Sequence, residues 1–196
     1  GYSSTSCGDL TGDGRAELFI GADGTLDPAT EGAVFRLNGR AYSAPPSDPL
    51  QDITASLTAV ATGARGSFGE HIRCVGDFDG DNLRDLSVYN GVAGTAGQVQ
   101  VFLQRSGTYS DADVVLLSND YGGAGSDYYG ISVGVGYHPY FGVLGDVDGD
   151  GLTDLWVGSE QAGSDPGDGT LFYGANPAMS RARSGAFFFN DTATTE

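Results

Sequence analysis

The sequence has few basic residues and no long apolar run. Lys and Arg together number 9 against 26 Asp and Glu, so the formal net charge at pH 7 is −17. A chain this acidic repels polyanions, which argues against nucleic acid and anionic membrane surfaces as partners. No apolar run reaches the roughly 18 residues of a membrane-spanning helix, so we predict no membrane insertion of these residues.

Histidine and cysteine are also scarce, with two of each. Nothing in the sequence places His71 or His138 beside a serine and an aspartate, so we predict no catalytic triad and no enzyme activity. Cys7 and Cys74 could form a disulfide in an exported protein, or they could be ordinary buried small residues. The sequence leaves both alternatives open.

Convincing helical periodicity is missing as well. The best candidate for a helix, Ile53–Thr62, is short and rich in Thr and Ala, and we interpret it as an excursion or a strand. Glycine is abundant instead, with 33 residues, and 39% of the chain is hydrophobic. This composition is typical of packed β-layers joined by many turns.

One acidic phrase occurs three times. It reads GDLTGDGRAELFIG at Gly8–Gly21, GDFDGDNLRDLSV at Gly76–Val88 and GDVDGDGLTDLWVG at Gly145–Gly158. We name residues 9–17, 77–85 and 146–154 loop one, loop two and loop three, and number their positions one to nine. Oxygen-bearing side chains stand at positions one, three, five and nine of each loop.

So many carboxylates within one short loop would repel one another unless a hard cation lay among them. Calcium takes six to eight oxygen ligands, including main-chain carbonyls such as the one at position seven. We therefore predict up to three Ca²⁺ sites and rank loop one last, because the threonine at its position three is a weaker ligand. The predicted metal ligands are Asp9, Thr11, Asp13, Arg15 and Glu17, then Asp77, Asp79, Asp81, Leu83 and Asp85, then Asp146, Asp148, Asp150, Leu152 and Asp154.

Two other interpretations of the loops are weaker. An EF-hand or dockerin begins in the same way, but an EF-hand needs a bidentate glutamate at position 12, where this chain has Ile20, Val88 and Val157. An acidic turn that binds nothing would explain one loop, but not three in the same register. Position six favours a positive φ, which suits Gly14, Asn82 and Gly151.

The loops recur at a regular interval. Asp77 follows Asp9 by 77 − 9 = 68 residues, and Asp146 follows Asp77 by 146 − 77 = 69. This period suits a four-stranded blade with a generous loop. Short apolar runs predict a strand after each loop and a second strand further on: Leu18–Ile20, Leu86–Val88 and Leu155–Val157, then Gly32–Leu37, Gly97–Leu103 and Gly169–Tyr173.

The pattern of motifs resembles the FG-GAP, or VCBS-type, repeats of integrin α-subunit-like β-propellers. Phe68-Gly69, loop two and Gly97–Leu103 match that pattern well, and Gly21-Ala22-Asp23 stands at the Gly-Ala-Pro turn of the first repeat. In the third repeat, Tyr129-Gly130 would replace Phe-Gly across an insertion, with Phe141-Gly142 as a competing alignment. The resemblance implies an all-β partial β-propeller of about three four-stranded blades, from a ring of seven.

The resemblance also implies a function. It implies a calcium-binding scaffold for adhesion or ligand binding, with structural calcium, an unknown protein or glycan ligand, and an extracellular or cell-surface location. We expect a secreted bacterial protein. Two alternatives remain open: a non-catalytic accessory propeller of a secreted hydrolase or polysaccharide lyase, and a carbohydrate-binding module that uses the Tyr-rich segment Tyr121–Tyr140.

The expected boundaries follow the repeats. Blade one is predicted at 1–66, with its start truncated, blade two at 67–127, and blade three with an insertion at 128–186. A closed propeller has four to eight blades, so we expect this chain to be a fragment. Residues 187–196 end in Asn-Asp-Thr-Ala-Thr-Thr-Glu, which reads like a translated sequencing-library adapter, and we predict that they are an artefact. Resequencing with a different library chemistry tests this, and recovery of the same ten codons would contradict it.

Overall fold

The protein forms three antiparallel β-sheets of four strands each. The computed structural model describes residues 3–22, 32–39, 57–63, 68–90, 98–117, 140–159, 168–174 and 184–188. Within these ranges the chain is all β, and no helix suited to crossing a membrane is found there. Each sheet follows the chain order of its strands, as in the consecutive blades of a β-propeller.

Blade one comprises β1 (Ser3–Gly8), β2 (Glu17–Ala22), β3 (Gly32–Leu37) and β4 (Leu57–Gly63). Blade two comprises β5 (Ile72–Gly76), β6 (Asp85–Asn90), β7 (Gln98–Arg105) and β8 (Thr108–Leu117). Blade three comprises β9 (Tyr140–Gly145), β10 (Asp154–Ser159), β11 (Asp168–Phe172) and β12 (Ser184–Phe188).

Each acidic loop connects the first two strands of its blade. The glycine before the loop pairs with the acidic residue at position nine, and the ladder has an irregularity beside this pair. The equivalent pairs are Gly8 with Glu17, Gly76 with Asp85, and Gly145 with Asp154. The three loops therefore occupy the same place in three successive sheets.

The hydrophobic core lies between the blades. One cluster joins blade one to blade two and contains Cys7, Phe19, Val34, Phe68, Ile72, Leu86, Val88, Phe102 and Tyr109. The other joins blade two to blade three and contains Val75, Phe78, Tyr89, Val99, Val101, Leu103, Leu155, Val157 and Phe172. Blade two is thus packed on both faces, and five of the six residues of β6 are buried.

Phe68-Gly69 packs blade two onto blade one. Phe68 is fully buried and makes an edge-to-face contact with Phe102, with ring centroids 6.1 Å apart. A Cβ atom at Gly21 would lie 1.8 Å from the Gly69 carbonyl oxygen, and one at Gly32 would lie 2.3 Å from that of Phe68. Only glycine at these two positions of blade one allows this close approach.

The competing alignment in blade three is resolved by strand register. Phe141 and Gly142 lie inside β9, opposite Val157 and Trp156. Ile72 and Arg73 occupy the same places in β5. Phe141-Gly142 is therefore part of a strand and not the counterpart of Phe68-Gly69, while Tyr129-Gly130 lies outside the described residues.

A disulfide links the first strands of blades one and two. Cys7 in β1 bonds to Cys74 in β5, with Cα atoms 5.3 Å apart and a sequence separation of 67. The two cysteines do not occupy equivalent positions, because Ser6 and Cys74 pair with the equivalent leucines Leu18 and Leu86. Of the two alternatives for these cysteines, the structure has the bridge.

The predicted strands of the acidic repeats are confirmed as β2, β6 and β10 and as β3, β7 and β11. The segment interpreted as an excursion or strand contains β4 in its second half, and β8 and β12 were not predicted. His71 lies in a bend just before β5. His138 and residues 121–139 lie outside the described ranges. Phe187 and Phe188 belong to β12, and the artefact and the blade boundaries stay predictions.

Candidate metal centre

The carboxylate at position one organises each loop. In loop two, Asp77 Oδ1 accepts hydrogen bonds from the main-chain N–H of Gly80 at 2.7 Å and of Asp81 at 3.1 Å, and Oδ2 accepts one from Asn82 at 2.8 Å. Asp9 and Asp146 accept the same three bonds in their loops. These donors, the Gly14 N–H foremost, lower the pKa of Asp9. Each loop is therefore wrapped around the carboxylate at position one.

Left-handed backbone conformations allow this wrapping. As expected, position six has a positive φ, with 82° at Gly14, 63° at Asn82 and 90° at Gly151. Two further positive-φ glycines recur in every repeat, one just before position one and one at position four, and neither was predicted. Their signal was present as the repeated Gly-Asp pairs. They are Gly8, Gly76 and Gly145, then Gly12, Gly80 and Gly149.

The carboxylate at position nine lies fully buried beneath each loop. Asp85 accepts hydrogen bonds from the Phe78 N–H in its own loop, at 2.9 Å, and from the Gln104 N–H in β7, at 2.8 Å. Asp154 accepts the equivalent bonds from Val147 and Gly174, and Glu17 accepts one from Leu10. This residue fastens the loop to the sheet.

Burial also affects the charge of Asp85 in loop two. It raises the pKa of Asp85 to about 7, against the opposing effect of the hydrogen bonds from Gln104 and Phe78. The nearby carboxylates of Asp79 and Asp81 raise it further. A cation in the loop would favour the ionised form of this group.

Carboxylate oxygens converge in all three loops. In each loop, one oxygen from each of three acidic residues lies within 4.8 Å of the other two. Calcium–oxygen distances of 2.3–2.6 Å place ligands on opposite sides of an ion about 5 Å apart, so this spacing and an all-oxygen donor set fit one such cation. The three clusters are Asp9, Asp13 and Glu17, then Asp77, Asp79 and Asp85, then Asp146, Asp148 and Asp154.

The other predicted ligands lie around these clusters. Asp81 and Asp150, at position five, are not cluster members, and each accepts a hydrogen bond from the N–H at position seven, Leu83 at 2.8 Å and Leu152 at 2.9 Å. In loop one the Arg15 N–H makes the equivalent bond to Asp13, which is a cluster member. The Thr11 hydroxyl lies 3.4 Å from Glu17 Oε1 and donates to it. Calcium coordination by any of these residues remains a prediction.

Two arginines form ion pairs with the acidic loops that the loop motif does not predict. Arg105, at the end of β7, forms ion pairs with Asp79 and Asp81 of loop two at 2.7 Å each. Arg15 pairs with Asp13 of loop one at 3.3 Å, with side chains 45% and 41% exposed. Spacing within the loop gives no signal for Arg105, because it lies 24 residues beyond Asp81 in sequence.

In loops two and three, the residue at position eight connects the loop to the preceding blade. The Arg84 guanidinium donates a hydrogen bond to the Cys7 carbonyl oxygen at 2.5 Å, and it covers Gly8. In blade three, the Thr153 N–H donates to the Asp77 carbonyl oxygen at 2.8 Å, and the Thr153 side chain covers Gly76. Loop three therefore contacts the first residue of loop two, and loop two contacts the end of β1 just before loop one.

Comparison with known proteins identifies similar chains. No protein-family model matches the sequence. The chain is 30% identical to integrin alpha-5 of Xenopus laevis over 182 residues, which is 91% of this chain and 16% of that protein. It is 33% identical to human integrin alpha-IIb and 30% identical to the mouse protein, over 80% of this chain and 14% of each relative. The chain therefore contains an integrin-α-like region and spans about one-sixth of the length of these relatives.

Proposed function

We propose that this chain is a calcium-binding β-propeller module of the FG-GAP type, in which calcium has a structural role. The observation that carries the proposal is the threefold convergence of carboxylates on one point, within 4.8 Å, in three loops of the same main-chain geometry. Each loop has a fully buried carboxylate at position nine. A bound cation would be favourable there because the cation would offset the negative charge of a group that water cannot reach.

We further propose that the module belongs to an exported protein and supports adhesion or ligand binding through its propeller, without a catalytic site of its own. Similarity to integrin α chains over most of the sequence supports this. The bridged cysteines of blades one and two are consistent with an oxidising compartment. The ligand is proposed only as a class, protein or glycan.

Calcium removal and return test the proposal. Because calcium binds the folded loops and not the unfolded chain, we expect a chelator to lower the melting temperature and excess calcium to restore it. Equilibrium binding should give up to three ions per chain. Replacing Asp148, an exposed ligand candidate outside the strands, with Ala should remove one ion and reproduce part of the chelation effect.

The control separates calcium binding from general screening by salt, because any salt weakens the repulsion within a chain whose net charge is −17. Sodium chloride at matched ionic strength should restore little of the lost stability, and Mg²⁺ should restore less than Ca²⁺ because it demands a stricter octahedral geometry. An identical melting curve in chelator and in calcium, with no ion bound, would overturn the proposal.

A further inference from the structure

Arg105 connects the end of β7 to loop two. Its Nη2 lies 2.7 Å from Asp79 Oδ2, and its Nη1 lies 2.7 Å from Asp81 Oδ2. The arginine side chain is 36% exposed, Asp81 is 30% exposed, and Asp79 is only 2% exposed. A rigid guanidinium that spans two carboxylates holds each of them in a defined direction.

Asp79 has two roles in this arrangement. It is a member of the loop-two cluster, with an oxygen within 4.8 Å of those of Asp77 and Asp85, and it is also the buried partner of Arg105. A carboxylate this deeply buried needs a positive partner, since burial of an unpaired charge is costly. Arg105 supplies that positive charge from within the protein.

Blade three offers an internal comparison. The Gly174 N–H donates to Asp154 just as the Gln104 N–H donates to Asp85, so Gly174 and Gln104 are equivalent. The next residue in sequence is Arg105 in blade two and Ala175 in blade three. Loops two and three share aspartates at positions one, three, five and nine, yet within the described ranges no ion pair reaches loop three.

We propose that Arg105 is a tethered counter-ion that competes with a divalent cation for Asp79 and Asp81, and that it makes loop two a weaker site than loop three. This inference rests on the proposed function. Without metal, the guanidinium offsets part of the negative charge of loop two. A divalent ion must displace it from Asp79 or bind beside its positive charge, and either event weakens binding.

Site-resolved calcium titration tests the inference on the full 196-residue chain. With ¹⁵N-labelled glycine, the amides of Gly80 and Gly149 report separately on loops two and three by nuclear magnetic resonance, because each donates to the carboxylate at position one. In the unsubstituted chain, we expect half-saturation of loop two at a higher calcium concentration than that of loop three. Arg105→Gln should lower this concentration about tenfold at loop two and leave loop three unchanged.

Three further variants separate charge from structure. Arg105→Lys keeps the positive charge but loses the planar guanidinium that spans both carboxylates. Loop two should therefore bind calcium more weakly in Arg105→Lys than in Arg105→Gln. A merely structural role for Arg105 would give the Lys and Gln variants the same midpoint. Ala175→Arg should weaken loop three. Arg36→Gln is the matched control, because this arginine belongs to none of the three loops and its guanidinium donates to the Gly107 carbonyl oxygen at 2.8 Å. The Gly80 amide of loop two and the Gly12 amide of loop one should change their midpoints by less than about twofold in this variant.

The possible outcomes are distinct. A loop-two midpoint that is unaffected by Arg105→Gln, in a chain whose loops do bind calcium, overturns the inference and leaves the proposed function intact. The same holds for Gln and Lys variants with equal midpoints. Absence of calcium-dependent shifts at Gly12, Gly80 and Gly149 in every variant overturns the proposed function, and the inference with it.

Discussion

Blades two and three have nearly the same acidic loop in different surroundings. In blade two, Phe78 at position two is 2% exposed, and the Asp77 carbonyl oxygen accepts a hydrogen bond from Thr153 of the next blade. In blade three, Val147 at position two is 50% exposed, and a Cβ atom at Gly145 would meet no atom within 4 Å. The loop phrase therefore determines the local hairpin, while the neighbouring blade determines how deeply that hairpin is buried.

The largest expected difference concerns the side chain at position two. Phe78→Ala should lower the free energy of unfolding by about 3 kcal/mol, since it leaves a cavity between blades two and three. Val147→Ala removes a half-exposed side chain and should change the free energy by less than about 0.5 kcal/mol. Urea denaturation in the presence of chelator measures both. Equal losses would show that the face of blade three is covered in solution.

A smaller difference is expected at the glycine before each loop. Gly76 has a φ of 76° and Gly145 a φ of 77°, so alanine at either position should cost about 1–2 kcal/mol of backbone strain. At Gly76 the new Cβ would also lie 2.5 Å from Thr153 Oγ1, which should add about 1 kcal/mol. The comparison of Gly76→Ala with Gly145→Ala, again by urea denaturation, isolates the contact between blades.

A double-mutant cycle checks the origin of that added loss. Thr153→Ala removes the hydroxyl and methyl groups nearest to the new Cβ. In the Gly76→Ala background it should therefore restore the part of the unfolding free energy that is lost through this contact, while the loss from backbone strain remains. In Gly145→Ala, Thr153→Ala should recover nothing. Additive effects at Gly76 would mean that the two blades do not touch there.

The sequence was sufficient to predict what depends on local spacing. The three loops, their position-six conformation and the strands β2, β6 and β10 follow from alternating oxygen ligands, glycines and short apolar runs. The same reasoning proposed Glu17, Asp85 and Asp154 as ligands. It could not predict that they are fully buried or that Asp85 also accepts the Gln104 N–H, because that bond joins residues 19 apart.

Contacts between blades were beyond the reach of the repeat pattern. Arg84 covers Gly8, and Thr153 covers Gly76, across roughly one repeat period, and the two side chains have different chemistry. Arg105 lies outside the acidic phrase, and its counterpart in blade three is alanine. A motif shared by all three repeats carries no information about residues that differ between them. The differences between the loops can therefore be seen only in the structure and cannot be predicted from the shared motif.

The smallest expected effect concerns pH and Tyr89, a residue that only blade two has, since Gly21 and Gly158 occupy the equivalent strand positions. Burial between blades two and three, with a further contribution from Glu70, raises the pKa of Tyr89 to about 12. An ordinary tyrosine ionises near pH 10, so between about pH 10 and 12 the folded chain keeps a proton that the unfolded chain loses. Stability from this group is therefore complete below pH 10 and declines as the pH rises.

Measuring the free energy of unfolding at about pH 9 and about pH 11 tests this expectation. Tyr89→Phe should reduce the decline between the two values by less than about 1 kcal/mol, because solvent screens part of the effect. Tyr109, whose pKa is also raised by burial, continues to titrate in that variant and accounts for part of the remaining decline. An unchanged decline in Tyr89→Phe would mean that water enters the interface between blades two and three at this tyrosine. Blade two would then be as exposed to water at this position as blade three.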